Sequence, residues 1–333
     1  MGTPVSVILP TLDERGYITD CLDSLMAQDY PAIDEILVVD GGSTDGTRDL
    51  VGRRDPALRL VDNPGVTAAS AMNIGLAEAR NEVIVRADAH TLYAPDYVSR
   101  CVEVLERSGA DVVGGPMRPV GTTAFGRAVA AVTSSPAGIG PGRFHYAEEA
   151  QDVDTVYLGA YQRQVVTEAG GYDAKGIQWA AEDQELNFRL RRDGRRIRLD
   201  PAIRSAYFPR QAPGPLWRQY WNYGMCKAST LAKHRTLPSW RPLAPAAMVA
   251  GTVVAVATGA AMRRPGVAAA PAVAYGLGAG VIALRLGAEP GVAPHRALAA
   301  LSLCHWGYGL GFWAGVGRIV TRRPFDHHPR GRR

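Results

Sequence analysis

Hydrophobic and polar positions follow two different rhythms along this chain. Up to about residue 240, short apolar runs alternate with charged, helix-patterned segments. Residues 5–10, 36–40, 58–62, 83–86 and 111–115 read as strands. Residues 18–28 read as a helix with Leu22, Leu25 and Met26 on one face, and 47–53, 68–79 and 95–108 as further helices, the last with Pro95 in its first turn. Short strands alternating with helices predict an α/β fold built on a mostly parallel sheet. Residues 121–151, rich in Gly, Pro and Ala, predict a loop region near the site. Residues 217–233 carry aromatic and basic side chains on a helix suited to a membrane surface.

Beyond Pro242 the apolar runs lengthen: 243–262, 267–286 and 297–320 each approach the roughly twenty residues that cross a bilayer. Little polar face is left to meet water, so the expectation is two or three membrane spans, not buried helices of a water-soluble domain. The third run holds His305, Trp306, Tyr308, Trp313 and many glycines, a composition that also suits an interfacial or re-entrant segment. The basic tail, residues 322–333, favours the cytoplasmic side, which requires an even number of spans if residues 1–212 are cytoplasmic too.

Composition narrows the picture. With 47% hydrophobic residues, the 333-residue chain is not of the disordered class. A net charge of +5 suits nucleic acid, an anionic ligand or an anionic membrane. No helix-turn-helix, zinc finger or aromatic RNA-binding motif accompanies the Arg189–Arg198 cluster, so no nucleic-acid partner is expected. Cys21, Cys101, Cys226 and Cys304 are far apart and form no CxxC pair, as reduced thiols facing the cytoplasm would. The N-terminus has no basic region or cleavage site and reads as a first strand, not a signal peptide.

The candidate chemistry lies just past strands. Asp40-Gly41-Gly42-Ser43-Thr44-Asp45-Gly46 follows an apolar run; it reads as a polar βα turn with Ser43 or Asp45 capping a helix, or as a ligand loop. Neither a methyltransferase glycine pattern nor a dehalogenase-type second acid fits it, and Pro10-Thr11-Leu12-Asp13-Glu14 is no dinucleotide fingerprint. Asp88-Ala89-His90 follows Val83-Ile84-Val85-Arg86. The pair is either a capping Asp with a surface His or a metal site, in which imidazole would favour Mn²⁺-like ions and Arg86 would help hold phosphate. Glu182 and Asp183 open a helix whose Leu186 and Leu190 form an apolar pair; they are ordinary capping acids or a catalytic base near the metal.

As an ordered set, four blocks resemble the glycosyltransferase family 2 pattern with its GT-A fold: Val7–Glu14, Val38–Thr47, Ala71–Gly75 and Val85–His90, followed by Gly170-Gly171-Tyr172-Asp173 and then Glu182-Asp183. The Arg-Ala-Asp-Ala-His form, with residues 220–227 and 305–312, is similar to the ExoA-like branch associated with succinoglycan-type exopolysaccharide. The resemblance implies that Pro10, Thr11 and Glu14 line a nucleoside pocket, that Asp40 touches base or ribose, and that Ser43 and Asp45 shape the loop. It places Asn73 and Arg86 at the donor, Asp88 and His90 on a Mn²⁺ or Mg²⁺ ion at the donor diphosphate, Asp183 as general base and Glu182 as an orienting acid. His90 replaces the second aspartate of the usual DxD, and Met72 stands where many relatives have a basic residue.

The implied enzyme is an inverting, metal-dependent glycosyltransferase of the cell membrane with a cytoplasmic catalytic domain. It would carry a sugar from a UDP-sugar to a polyprenyl-linked saccharide. The expected division is a catalytic domain at 1–212, an interfacial helix at 213–241, membrane helices at 242–321 and a tail at 322–333. A processive polysaccharide synthase of the same fold is disfavoured because Arg218-Gln219-Tyr220-Trp221 has the Gln-x-x-Arg-Trp residue types in the wrong order. A non-catalytic sugar-nucleotide-binding scaffold is disfavoured by the presence of both the Asp88–His90 pair and Asp183.

Overall fold

The computed structural model describes residues 2–54, 58–140, 142–177, 180–236 and 241–322; the basic tail beyond Arg322 lies outside them. In chain order the elements are β1 (Val5–Thr11), α1 (Ile18–Met26), β2 (Ile33–Asp40), α2 (Thr47–Gly52), β3 (Leu58–Asp62), α3 (Ala68–Glu78), β4 (Val83–Arg86) and β5 (Thr91–Tyr93). Then come α4 (Tyr97–Ser108), β6 (Val112–Gly115), β7 (Arg118–Pro119), α5 (Ala124–Thr133), α6 (Pro136–Ile139), β8 (Gln151–Asp152), β9 (Tyr157–Gln162) and α7 (Arg163–Glu168). The chain continues through α8 (Glu182–Arg192), β10 (Ile197–Leu199), β11 (Ser205–Tyr207), α9 (Pro213–His234), α10 (Ala244–Ala261), α11 (Pro265–Leu286) and α12 (Pro294–Val320).

Among the described residues, eight strands form a sheet in the order β3-β2-β1-β4-β9-β6-β10-β8. The first four run parallel, β9 is antiparallel to β4 and β6, and β10 is parallel to β6. The C-terminal ends of β1, β2 and β4 therefore share one edge, where ligands of open α/β sheets bind. A small sheet, β5-β11-β7, stands at that edge. Side chains alternate between two cores: Ile36 and Val38 of β2 pack with α1 and α4, whereas Leu37 and Val39 pack with Met72 and Leu76 of α3 and with Leu186 and Leu190 of α8. Burial on both faces explains the unbroken apolar strand runs. Each such fully buried side chain contributes about 1.5–3 kcal/mol.

Two local expectations are corrected. Pro95 is not in the first turn of α4, which starts at Tyr97 after Asp96; the Pro95 carbonyl instead accepts the Asp29 amide. The 121–151 segment is not simply a loop. Thr123 caps α5 by accepting the Gly126 amide, and Ala128, Val129 and Val132 bury one face of α5 in a third core, shared with α11 and α12. The four cysteines are buried and form no disulfide.

The C-terminal helices also divide differently from the three apolar runs. Only α10 and α11, among the described residues, are long and apolar enough to cross a membrane. They leave large apolar side chains bare, with Leu277 and Leu284 each 68% exposed. By contrast α12 is occupied by α9. Gly307, Gly311 and Gly315, one turn apart, meet Trp217, Trp221 and the Met225–Ala228 turn, while Gly224 of α9 admits the backbone of Tyr308. This small-residue stripe lets two backbones approach closely. A Cβ at Gly311 would lie 2.1 Å from the Trp221 carbonyl oxygen. Gly311→Ala is therefore expected to lose about 1–3 kcal/mol of stability, read as a lower melting temperature in detergent. An unchanged melting temperature would count against this contact.

Candidate functional site

The loops after β1 and β2 are laced together. Asp13, in the left-handed region at φ 54°, donates its amide to Ser43 Oγ at 2.8 Å and accepts the Thr44 amide on Oδ1 at 2.8 Å. Glu14 donates its amide to Thr47 Oγ1 at 2.9 Å, and Arg15 donates its amide to Asp45 Oδ2 at 2.9 Å. Asp45 also accepts the Thr47 amide at 3.0 Å and so joins the start of α2 to the loop after β1. Gly41 lies in close approach to the next loop: a Cβ there would lie 3.0 Å from the Val66 carbonyl.

Asp40, expected at the base or ribose, faces inward instead. Its side chain is fully buried; Oδ1 accepts the amides of Gly42 (2.9 Å) and Ser43 (2.8 Å) and Arg48 Nη1 (3.0 Å), and Oδ2 accepts the Thr11 (3.1 Å) and Ser43 hydroxyls. Burial opposes its charge, but these donors, led by Ser43, hold its pKa below the usual carboxylate range. With its lone pairs committed, Asp40 organises the loop that would meet a nucleoside. Asn73 is likewise diverted. Its amide donates to the Tyr172 carbonyl and accepts the Tyr172 amide, both at 2.8 Å, which ties α3 to the Gly170–Asp173 turn. Pro10 stays in β1, half-buried.

Asp88 and His90 do come together, at the end of β4. His90 Nδ1 lies 2.8 Å from Asp88 Oδ1 and 3.6 Å from Glu14 Oε1. Burial raises the Asp88 pKa, yet His90 and then Arg86 hold it down at about 2. The Asp88 side chain keeps 27% of its surface exposed. The corner is walled by aromatic rings: Tyr207 lies 5.4 Å from the His90 ring, Tyr17 6.4 Å from it, and Phe208 stacks on Tyr17 at 5.9 Å. Among the described residues, no three His, Cys, Asp or Glu side chains form a closed metal site. The corner therefore offers at most a few protein donors and one open side.

Arg86 points elsewhere than expected. It donates to Glu182 Oε1 at 2.6 Å, both side chains being about 11% exposed, and lies over the Tyr172 ring at 5.6 Å. Glu182 and Asp183 form the first turn of α8, entered through Ala181 in the left-handed region at φ 61°. A cavity lined by Arg86, Tyr161, Tyr172, Asp183 and Asn187 opens beside them. Burial first, and then the adjacent Glu182 charge, raise the Asp183 pKa, with Arg86 opposing. A carboxylate whose pKa is raised toward neutrality is suited to accept a proton.

Two cations escaped the sequence reading. Arg210 lies two residues after Phe208, whose amide donates to the His90 carbonyl at 3.0 Å. Burial works against its charge, but the carboxylates of Glu14 and Asp88 are among the groups that favour it, and its pKa is raised. Lys227 sits on α9 and feels Asp154 and Asp183. The signal for Lys227 was its place at the end of the 220–227 segment; Arg210 had none beyond its charge.

Residues 6–147 match the family model described as Glycosyl transferase family 2. The chain is 32% identical over 320 residues to the succinoglycan biosynthesis protein ExoA of Rhizobium meliloti (strain 1021), covering 94% of each chain. It is 27% identical over 241 residues to the dolichyl N-acetyl-alpha-D-glucosaminyl phosphate 3-beta-D-2,3-diacetamido-2,3-dideoxy-beta-D-glucuronosyltransferase of Methanococcus voltae, covering 69% of this chain and 74% of that one. Its fold resembles the mannosyltransferase PcManGT from Pyrobaculum calidifontis, solved with GDP-Man and Mn²⁺, at a TM-score of 0.57 and 22% identity over 97% of this chain and 88% of that one.

Proposed function

The chain belongs to glycosyltransferase family 2, with the GT-A fold, and on that premise we propose that it transfers a sugar, with inversion, from a UDP-sugar to a lipid-linked saccharide in exopolysaccharide assembly. The observation that carries this reading is the convergence of two unlike carboxylate environments on one sheet edge. Asp88 is held ionised beside His90 and a partly open corner, while Asp183 is pushed toward protonation at the start of α8. Environments that separate two carboxylates in this way assign them different tasks.

In the proposed reaction Asp183 accepts the proton of an acceptor hydroxyl. The hydroxyl oxygen forms the new bond to the sugar anomeric carbon as the bond from that carbon to the diphosphate oxygen breaks, and the nucleotide diphosphate leaves with the electron pair. One displacement without a covalent intermediate inverts the anomeric centre. Arg86 fixes Glu182, which keeps the carboxylate pair oriented. Asp88 and His90 fit a divalent ion in their donor set, because a hard cation bound by one or two protein ligands takes its remaining oxygens from phosphate. When bound, Mn²⁺ or Mg²⁺ would neutralise charge growing on the departing diphosphate. Arg210, within electrostatic reach of Glu14 and Asp88, would add positive charge to the same corner.

The name of the Methanococcus voltae relative, with its dolichyl phosphate-linked sugar, supports a lipid-linked acceptor, and that of the Rhizobium meliloti relative supports exopolysaccharide assembly. We assign α10 and α11 as a pair of spans in the cell membrane. Two spans return α12 to the side of the catalytic domain, where α9 holds it, and keep the basic tail cytoplasmic. The domain division at 212 and 241 stands as part of this proposal.

The test is nucleoside diphosphate release by the full chain in detergent, from a panel of UDP- and GDP-sugars, with membranes containing lipid-linked acceptors. UDP release is expected, EDTA should abolish it, and Mn²⁺ or Mg²⁺ should restore it. Asp88→Ala is expected to lower the rate by roughly a hundredfold or more. Full turnover in EDTA would remove the metal from the reading, and sugar-nucleotide binding without release would favour a scaffold.

A further inference from the structure

The helix α9 has two working faces. One is filled by α12, through Trp217, Trp221, Gly224 and Ala228. The other carries Gln219, Tyr223 and Lys227 at successive i, i+4 positions, so all three face the same way. That way is toward the site. Gln219 donates to the Tyr207 hydroxyl at 3.3 Å and to the Tyr223 hydroxyl at 3.1 Å, and Tyr207 lies against His90. The next residue on this stripe is Lys227, and the acids whose charges reach it are Asp154 and Asp183.

Lys227 differs from the other lysine near the end of the helix. Lys233 is locked between Asp173 at 2.6 Å and Glu185 at 2.7 Å. Lys227 is half-buried, and among the described residues no acid forms a salt bridge with it. Withdrawing an ammonium from water without a partner is unfavourable, and burial indeed lowers its pKa. The cation lies on the site-facing stripe of α9, within electrostatic reach of Asp183, on the helix that packs against α12. An anion that arrives with the substrate on that side would complete it.

We infer that Lys227 binds the phosphate through which the acceptor saccharide is joined to its lipid. This rests on the lipid-linked acceptor proposed above and adds a contact for it. Asp183 receives the acceptor hydroxyl, and Lys227 holds the anionic end of the same molecule, so the acceptor is oriented from two points. The other source of phosphate in the crevice is the donor diphosphate, which belongs beside Asp88 and Arg210.

The experiment measures affinity of the full chain, in detergent, for polyprenyl phosphate and for the polyprenol of the same length, and separately for UDP with Mn²⁺. The wild type should prefer the phosphate by about tenfold or more, the discrimination expected of a charge-assisted contact. Lys227→Gln should erase this preference while leaving UDP affinity within about twofold, which also shows that the variant is folded; Lys227→Arg should retain the preference. A preference that survives in Lys227→Gln overturns the assignment. So does a loss of UDP affinity with lipid binding unchanged in the same variant, which would give Lys227 to the donor. If the wild type binds phosphate and alcohol equally, the phosphate contact fails while the lipid-linked acceptor stands; if it binds neither, the lipid-linked acceptor fails and this contact fails with it.

Discussion

Asp183→Asn is expected to lower kcat by roughly a thousandfold, within the range that removal of a general base produces, while the protein stays folded and its affinity for the donor changes little. The amide is nearly the same shape as the carboxylate and can still accept the Gln184 amide, now at 2.8 Å from Asp183 Oδ1. What it cannot do is take a proton. The pH profile gives a second readout. Burial and Glu182 raise the Asp183 pKa, and the base works only when ionised. The wild-type rate should therefore fall as pH drops through a value above the ordinary carboxylate range. Glu182→Gln removes the neighbouring negative charge and leaves Arg86 unopposed, so the same limb should move to lower pH. Near wild-type turnover in Asp183→Asn would show that another group takes the proton; an acid limb that does not move in Glu182→Gln would show that the two carboxylates are not coupled.

What could be read from the sequence follows from what strands and motifs encode locally. The apolar runs ending at Asp40 and Arg86 placed two strand ends on one edge, because burial on both faces leaves the strands little choice of residue type. Asp88 and His90 were legible as a pair because they are two residues apart. Asp40 and Asn73 were placed at the ligand, but the structure turns both onto backbone amides and carbonyls, and a motif does not say whether a carboxylate faces a ligand or its own loop. The α5 helix was read as loop because its Ala, Val and Gly composition lacks the polar face that marks an amphipathic helix; the membrane-side helices supply the cover. In α12 the glycines suit an interfacial or re-entrant segment by composition, whereas three of them form the groove that receives α9. Arg210 carries no local signal, and Lys227 only its place in the 220–227 segment, because each lies more than a hundred positions from Asp88 and comes to the site through the chain after β11 or along α9.

Glu185→Ala is expected to be the most destabilising single change in the α/β part, by about 3–5 kcal/mol. The Glu185 side chain has no exposed surface. It accepts Arg189 at 2.9–3.1 Å, Lys233 Nζ at 2.7 Å and His234 Nε2 at 2.8 Å. Removing it leaves Arg189 and His234 around a cavity without that acceptor, while Lys233 keeps Asp173, and Glu185→Gln should cost less because it keeps an acceptor in place. A fall of several degrees in melting temperature is the expected reading for Glu185→Ala; a shift of less than about one degree would mean that water already serves these cations. The pH dependence has a definite sign. Burial opposes the Glu185 charge, but Arg189 and Lys233 outweigh it and hold the folded-state pKa below the usual range. Its contribution is therefore complete above the unfolded carboxylate pKa, near about 4.3, and is lost as pH falls through the lower folded value. The same change should reach activity. Glu185 joins α8, which carries Asp183 in its first turn, to the last turn of α9, whose other turns carry Tyr223 and Lys227. Freeing that end of α9 loosens the wall opposite the base, so kcat/KM for a lipid-linked acceptor should fall even at temperatures where the variant remains folded.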